Sequence, residues 1–206
     1  MICAALEALA PLRLRGHEVI VADGGSEDGT AQSAAALCDR VVRAARGRAV
    51  QMNAGAAAAS GDALVFLHAD TRLPAHADEL ILDSLQAHLW GRFDVEIDGR
   101  HRLLKAVACG MNLRSRLTGI ATGDQAIFVR RATFPGFPEI ALMEDIAFST
   151  AMKRLGPPAC RRETVLTSGR RWESRGVLRT ILLMWRLRLM YFLGTRPEAL
   201  ARVYDK

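Results

Sequence analysis

Several features are scarce in this chain, and each scarcity removes a class of function. The four cysteines, Cys3, Cys38, Cys109 and Cys160, stand far apart with no close pair among them. That spacing excludes a zinc knuckle or a redox dithiol and predicts reduced, structural thiols. No run of about 18 apolar residues occurs, so no bilayer-spanning helix is predicted. The N-terminus has no basic stretch followed by an apolar core, so no secretory leader is predicted either. Linkers rich in Ser, Gly or Pro, blocks of like charge and repeats at a solenoid period are also missing. Lysine is nearly absent, represented by Lys105, Lys153 and Lys206 alone. Aromatic residues make up 6% of the chain and do not interleave with the basic ones, which argues against a nucleic-acid surface.

What remains is 206 residues, half of them apolar, enough for one sizeable core and one domain. The net charge of +6 is carried by arginine, whose planar fork binds oxygens in pairs and keeps its charge. Most of the basic excess falls late, between Arg154 and Arg188. Diphosphate ligands and an anionic membrane surface both fit such a distribution.

His17–Asp23 and Ala63–Asp70 are short runs apolar on both faces, and each ends in an aspartate. Both read as buried parallel strands. The first is followed by the turn cluster Gly24–Gly29 and a helix over Thr30–Ala36; a brief strand is expected at Val41–Val42. A helix over Gly47–Ser60 stops at Gly61, and another starts at Leu73-Pro74 and runs towards Leu89. Further strands are expected at Phe93–Ile97, Gln125–Arg130 and Thr164–Thr167, and helices at Met143–Leu155 and Val177–Leu193. Strands followed by helices imply βαβ units with right-handed crossovers, hence an α/β fold with a single, mostly parallel sheet flanked by helices. Ligands then sit beyond the carboxyl ends of the strands, where Asp23 and Asp70 are placed.

At Asp23 a carboxylate followed by Gly24, Gly25 and Ser26 could accept from a base or ribose; equally, it could only cap the turn. In His68-Ala69-Asp70, alternate positions on an extended segment project to one side. Such a pair could hold a divalent cation bridging two phosphates, Mn²⁺ being favoured over Mg²⁺ if the imidazole coordinates. The alternative is a hydrogen-bonded histidine and a helix-capping acid. Glu144 and Asp145 open a helix, where the dipole favours acids; one of them could also act as a general base. Arg48 and Asn53 lie on a helix between the two Asp-ended strands, as donors for phosphate or base edges or as a solvated face. Arg171 and Trp172 could meet a diphosphate or a sugar. Val177–Leu193 is largely apolar, with Arg179 and Arg186 sharing a stripe and Arg188 roughly opposite. Such a helix could lie at an anionic membrane interface or pack on the domain.

Six segments, VADGGSEDGT, GRAVQMNAGAAAASGD, LVFLHADT, GDQAIFVRR, FPEIALMEDI and SGRRW, together resemble the family 2 glycosyltransferases, inverting enzymes of the GT-A (nucleotide-diphospho-sugar transferase) fold. Within that family the segments are most similar to the radical-SAM/selenodomain-associated transferases. The resemblance implies that Asp23, Gly24, Ser26, Arg48 and Asn53 serve the donor nucleotide, and that Asp70 and His68 hold Mn²⁺ or Mg²⁺. It implies Asp145 as catalytic base with Glu144 beside it. Gly123, Asp124 and Gln125, with Arg171 and Trp172, would line the acceptor or diphosphate region. The late element lacks the family's Gln, which argues against a processive polymerase. Family members usually open with an apolar strand; here Met1-Ile2-Cys3 already falls in the helix that should follow it. One side of the His17–Asp23 strand is therefore expected to be exposed.

These features predict a catalytic domain over residues 1–175 and a helical segment over 176–206, packed on it and able to meet a membrane. They predict a metal-assisted transfer of sugar from a nucleotide donor to an acceptor, including lipid-like or carotenoid acceptors, and a cytoplasmic location that extends to the inner face of the membrane. Nucleic acid is not an expected partner. Two rivals remain: a sugar-phosphate nucleotidyltransferase, disfavoured by the acidic Gly24–Gly29 turn, and a non-catalytic protein binding a membrane surface or a nucleotide.

Overall fold

A computed structural model describes residues 2–204. The chain begins with helix α1 (Ile2–Leu14), strand β1 (Ile20–Asp23), helix α2 (Thr30–Ala35), strand β2 (Arg40–Arg43) and helix α3 (Arg48–Ala58). Strands β3 (Ala63–Val65) and β4 (Thr71–Arg72) precede α4 (Ala77–Ala87), β5 (Trp90–Asp98) and α5 (Leu103–Thr118). A 3-10 turn (Gly123–Gln125), β6 (Phe128–Arg130), a second 3-10 turn (Arg131–Thr133), α6 (Glu144–Leu155) and β7 (Ala159–Ser168) follow. The chain finishes with α7 (Arg170–Arg175), α8 (Val177–Phe192) and α9 (Pro197–Tyr204).

The fold is α/β, as expected, but the sheet is not single and mostly parallel. β1 and β2 form a parallel pair by themselves, and the main sheet has five strands in the order β3-β6-β5-β7-β4. In it β5 and β7 run parallel, while β3–β6, β5–β6 and β4–β7 are antiparallel. Burial on both faces makes a run apolar whatever the direction of its neighbours, so composition alone does not fix that direction. The second Asp-ended strand is also shorter than its apolar run. Regular pairing covers Ala63–Val65, Phe66 donates once more to the Ile127 carbonyl at 2.8 Å, and the chain then turns, Thr71 N–H reaching the His68 carbonyl at 3.0 Å. His68 and Asp70 thus sit on a turn, not on alternate positions of a strand.

Leu64 and Phe66 face β6, so Ala63, Val65 and Leu67 turn their backbone groups to the opposite edge. No strand covers that edge or the outer edge of β1 among the described residues. A cavity lies between them, walled by Ile20, Val21 and Ala22 on one side and by Ala63, Val65 and Leu67 on the other. Ile20, Val21 and Ala22 are accordingly only half-buried. One contact spans part of the gap: the Gln51 amide on α3 donates to the Ala22 carbonyl at 2.9 Å.

The main sheet is packed on both faces. One side buries Phe93, Val95, Phe128 and Val165 with Ile81 of α4 and Leu104 of α5. The other buries Trp90, Ile127 and Val129 with Phe148 and Met152 of α6 and Phe137. Helix α5, which the sequence pattern does not announce, is pinned to β5 by polar contacts. Asn112 brackets Val95, accepting from its N–H at 2.9 Å and donating to its carbonyl at 3.0 Å. Asp94 holds the buried Arg92 and accepts from Arg116 at 2.6 Å.

Phe148 is fully buried, stacked on Phe137 with ring centroids 4.4 Å apart and meeting Trp90 edge-on at 6.0 Å. It fixes α6, and with it Glu144 and Asp145, against the sheet. Phe148→Ala should cost about 3–5 kcal/mol through lost burial and the cavity left behind. Denaturant unfolding checks this; a loss below about 1 kcal/mol would mean that α6 is anchored elsewhere.

Candidate active site

The cavity between the β1 and β3 edges, about 1350 Å³ in all, extends to the carboxyl end of β3, the loop before β6 and the start of α6. Arg48, His68, Asp70, Gly123, Asp124, Asp145, Arg171 and Trp172 all line it. Five segments far apart in the sequence therefore contribute polar groups to its lining.

The closest join is at Gly123. Its N–H donates to Asp145 Oδ2 at 3.2 Å, while Asp145 Oδ1 accepts from the Ile146 N–H at 2.8 Å. A Cβ at position 123 would sit 2.5 Å from His68 Nε2, so only glycine lets the imidazole lie against this turn. His68 Nδ1 in turn faces Asp124 Oδ1 at 3.4 Å. Burial pulls the His68 pKa down, but the hydrogen bond and charge of Asp124 outweigh it, and the net shift is upward. Asp124 shows the converse: burial raises its pKa, while the His68 contact and charge bring it below the ordinary range. Asp70 is exposed on the turn next to His68.

Glu144 is buried and paired with Arg48, whose Nε lies 2.9 Å from Oε1. Its second oxygen, Oε2, is buried without a partner. Burial raises the Glu144 pKa; Arg48 opposes the rise and Asp145 adds to it. Glu144 therefore meets the cavity only through Arg48 and is absent from its wall. The turns carrying these acids are strained. Met143, just before Glu144, has φ 72°, and Ala126, just after Gln125, has φ 45°. Non-glycine residues in that region persist only where the surroundings hold them.

Other expected site residues turn elsewhere. Gln125 points into the core, not the cleft. It closes a capping box with Thr122 and is wholly buried, its amide directed at Phe93 O and Asn112 Oδ1. Both amide atoms of Asn53 are spent on Phe137, donating to its carbonyl at 2.9 Å and accepting from its N–H at 2.7 Å. Asp23 lies at the end of β1, and its carboxylate accepts from the N–H groups of Gly25 and Ser26 at 3.1 Å. Its bonds with Ser26, side chain first and then backbone, lower its pKa. Asp23, Gly24 and Ser26 lie outside the cavity wall, although the preceding Ala22 is part of it. Arg171 stacks on the Tyr204 ring at 4.1 Å and Trp172 packs against the core. Sequence reasoning passed over Arg114 on α5 and named Arg188 on α8 only as part of an apolar helix; both line the same cavity as Asp145. Among the described residues no three His, Cys, Asp or Glu side chains converge into a preformed metal cage.

Acidic turns gathered at the strand ends of an α/β fold place the candidate site where such folds bind their ligands. The sequence pattern of glycosyl transferase family 2 matches residues 1–132, more than half of the chain. The chain belongs to that family. The structure resembles the mannosyltransferase of Pyrobaculum calidifontis, solved with GDP-Man and Mn²⁺, at a TM-score of 0.62 and 21% identity, over 99% of this chain and 66% of that one. It resembles mannosyl-3-phosphoglycerate synthase of Rubrobacter xylanophilus at 0.56 and 20%, over 94% of this chain and 71% of that one. It also resembles glucosyl-3-phosphoglycerate synthase of Mycobacterium tuberculosis, solved with Mn²⁺, UDP and glucosyl-3-phosphoglycerate, at 0.57 and 18%, over 81% of this chain and 65% of that one. These likenesses establish the GT-A fold, and the chain spans between 60% and 71% of the length of the first three structures it matches. No curated protein matches the sequence significantly.

Removing Arg48 would strand the buried Glu144 charge. Because the folded Glu144 pKa is raised, this acid favours folding more as pH falls and it takes up a proton. Arg48→Met should therefore destabilise by about 1–3 kcal/mol at pH near 8, the half-exposed arginine keeping the figure modest, and by less at pH near 5. Thermal melts at the two pH values check it; an equal loss at both would contradict the pairing.

Proposed function

We propose that the chain transfers a sugar from a nucleoside diphosphate donor to an acceptor oxygen with inversion at the anomeric carbon. The supporting observation is Asp145, oriented by two backbone N–H groups beside His68, Asp124 and Asp70 in one cavity. In this reading the acceptor hydroxyl attacks the anomeric carbon and gives its proton to the Asp145 carboxylate. The bond from that carbon to the diphosphate oxygen breaks, and the electron pair leaves with the nucleoside diphosphate. A single displacement of this kind inverts the centre.

His68 and Asp70 offer an imidazole and an exposed carboxylate on one turn, with Asp124 against the imidazole, a donor set that fits Mn²⁺ or Mg²⁺ completed by phosphate oxygens. When bound, such an ion supplies charge neutralisation on the departing diphosphate. The chain's own groups do the remainder. Asp23, Gly24 and Ser26 hold the nucleoside at the end of β1, and Arg171 reaches the diphosphate. Gly123 N–H and Ile146 N–H keep the base aimed. Arg48, tied to Glu144, presents its charge to the same cavity, while Asn53 positions the Phe137 backbone against α3. Residues 1–175 carry this chemistry.

Residues 176–206 carry the finer reading of the partner. On α8, Leu178, Leu182, Trp185, Leu189 and Phe192 follow one another at spacings of four, three, four and three and are all exposed, with Leu193 beside them. They make one apolar stripe facing outwards, flanked by the exposed Arg179 and Arg186. Among the described residues no helix is long and apolar enough to cross a membrane. The stripe suits a helix lying in an anionic interface, apolar side chains entering and arginines meeting the head groups. This reading places the protein at the inner face of the cell membrane, working on a lipid-like acceptor.

Thermal shift with UDP or GDP and Mn²⁺ should show a rise that Asp70→Ala removes. Asp145→Asn should keep that rise while donor turnover falls about 10²–10⁴-fold; turnover unchanged in Asp145→Asn would reject it as base. The wild type should co-sediment with vesicles containing anionic lipid, less so at high salt, and Leu182→Glu with Trp185→Glu should stay in the supernatant. Equal sedimentation of that double variant would remove α8 as the contact.

A further inference from the structure

Two arginines are left unused by this mechanism. Arg114, towards the end of α5, and Arg188, in the second half of α8, both line the cavity that holds Asp145. Nε and Nη2 of Arg114 and Nε of Arg188 are buried with no hydrogen-bond partner. Among the described residues neither arginine forms an ion pair. Burial lowers the Arg114 pKa to about 10, with the charge of Arg188 adding to the effect and Asp145 opposing it. Burial lowers Arg188 too, against the pull of Asp145 and Asp124.

Arginines that serve the fold behave differently here. Arg92 is deeper than either and its Nε is also without a partner, but its terminal nitrogens are held by Asp94 and the Asn112 carbonyl, and Arg116, on the same helix as Arg114, reaches Asp94 and the carbonyls of Cys160 and Arg161. Two neighbouring guanidinium groups with unspent donors are the complement of an anion. A burial cost offset only at a distance by Asp145 and Asp124, with no carboxylate in contact, points the same way.

The wall leading to them is apolar. Val107, Gly110 and Met111 precede Arg114 on one face of α5, and Ile181, Met184 and Trp185 precede Arg188 on one face of α8; all six line the cavity. A Cβ built on Gly110 meets nothing within 4 Å, so there is open space along this wall. The same α8 turn that ends in Arg188 carries Trp185, which is also part of the outward apolar stripe.

We propose that Arg114 and Arg188 form a seat for an anionic group of the acceptor, a phosphate or carboxylate, whose apolar portion lies along the wall between α5 and α8. The proposal rests on the transferase reading only in naming that ligand the acceptor. The seat adjoins Asp145, the group that must meet the acceptor hydroxyl, whereas His68, Asp70 and Arg171 serve the diphosphate. The substrate class is an amphipathic anion, and the chain length of the probe separates a lipid from a small water-soluble anion.

Calorimetry on the full chain with inorganic phosphate, dodecyl phosphate below its micelle concentration and dodecyl maltoside tests this. Dodecyl phosphate should bind at least about tenfold more tightly than phosphate, and the neutral maltoside should not compete with phosphate. Arg188→Gln should weaken both anions by about tenfold or more, and Arg188→Lys, keeping the charge without the fork, by less. Gly110→Leu, which fills the wall, should remove the advantage of the alkyl chain and leave phosphate binding as it was. Melting temperatures identify any variant that has lost its fold, and the chain-length comparison on the wild type needs no variant. UDP with Mn²⁺, measured in parallel, should bind Arg188→Gln and the wild type alike. Unchanged anion binding in a folded Arg188→Gln would overturn the seat, and phosphate binding as tightly as dodecyl phosphate in the wild type would overturn its lipid occupant. An equal loss of UDP affinity in Arg188→Gln would assign the arginines to the donor instead. UDP failing to bind the wild type while the anions behave as stated would remove the transferase reading and leave the seat in place.

Discussion

The hydrogen bond from the Gly123 N–H to the Asp145 carboxylate is the contact on which the rest depends. It ties the turn before β6 to the first turn of α6, and the missing side chain at Gly123 lets His68 close on the same point from the end of β3. Three loops that share no sequence proximity are thereby fixed within a few ångströms of one another. Such positioning has a structural cost, visible in the left-handed backbone at Ala126 and Met143 on either side of the join. The packing of Phe148 and the capping box of Thr122 and Gln125 hold those turns in place.

Charge is distributed around that join with a clear division of labour. Glu144 is neutralised in part by Arg48, His68 is balanced against Asp124, and Asp145 is left with backbone donors and the field of Arg114 and Arg188, neither in contact with it. A carboxylate placed in this way is oriented without being consumed by an ion pair. The cavity therefore offers acidic oxygens around the Gly123 turn and guanidinium donors at Arg114 and Arg188, with an apolar wall between α5 and α8. That polarity suits a reaction in which one substrate brings a diphosphate and the other an apolar body with an acidic group.

Much of the fold and of the candidate site could be read from the sequence, because the relevant signals are local. Apolar runs ending in Asp23 and Asp70, the glycine-rich turn after the first and the acidic start of α6 each follow from short-range chemistry. Strand direction could not be read, since Phe128–Arg130 is as apolar inside an antiparallel pairing as in a parallel one. The apolar run continues past the strand end at Val65 because the following residues are apolar while already turning. Asn53 and Gln125 looked like ligand donors, yet an amide near a cleft serves equally well as a backbone clamp, and both are used that way. The place of Arg114 and Arg188 in the site is not legible in the sequence, for a different reason. Their significance lies in the absence of a partner, which only the packed structure reveals.

The central claim is that His68, Asp70, Gly123, Asp124 and Asp145 surround one site where a metal–nucleoside diphosphate complex docks. Paramagnetic line broadening by Mn²⁺ in the presence of UDP, followed on the backbone amides, tests it directly. The account predicts that the amides of His68–Thr71, Gly123–Gln125 and Asp145–Ile146 broaden together, at metal levels that leave α9 untouched. Broadening confined to one of these turns, or centred elsewhere on the surface, would contradict it.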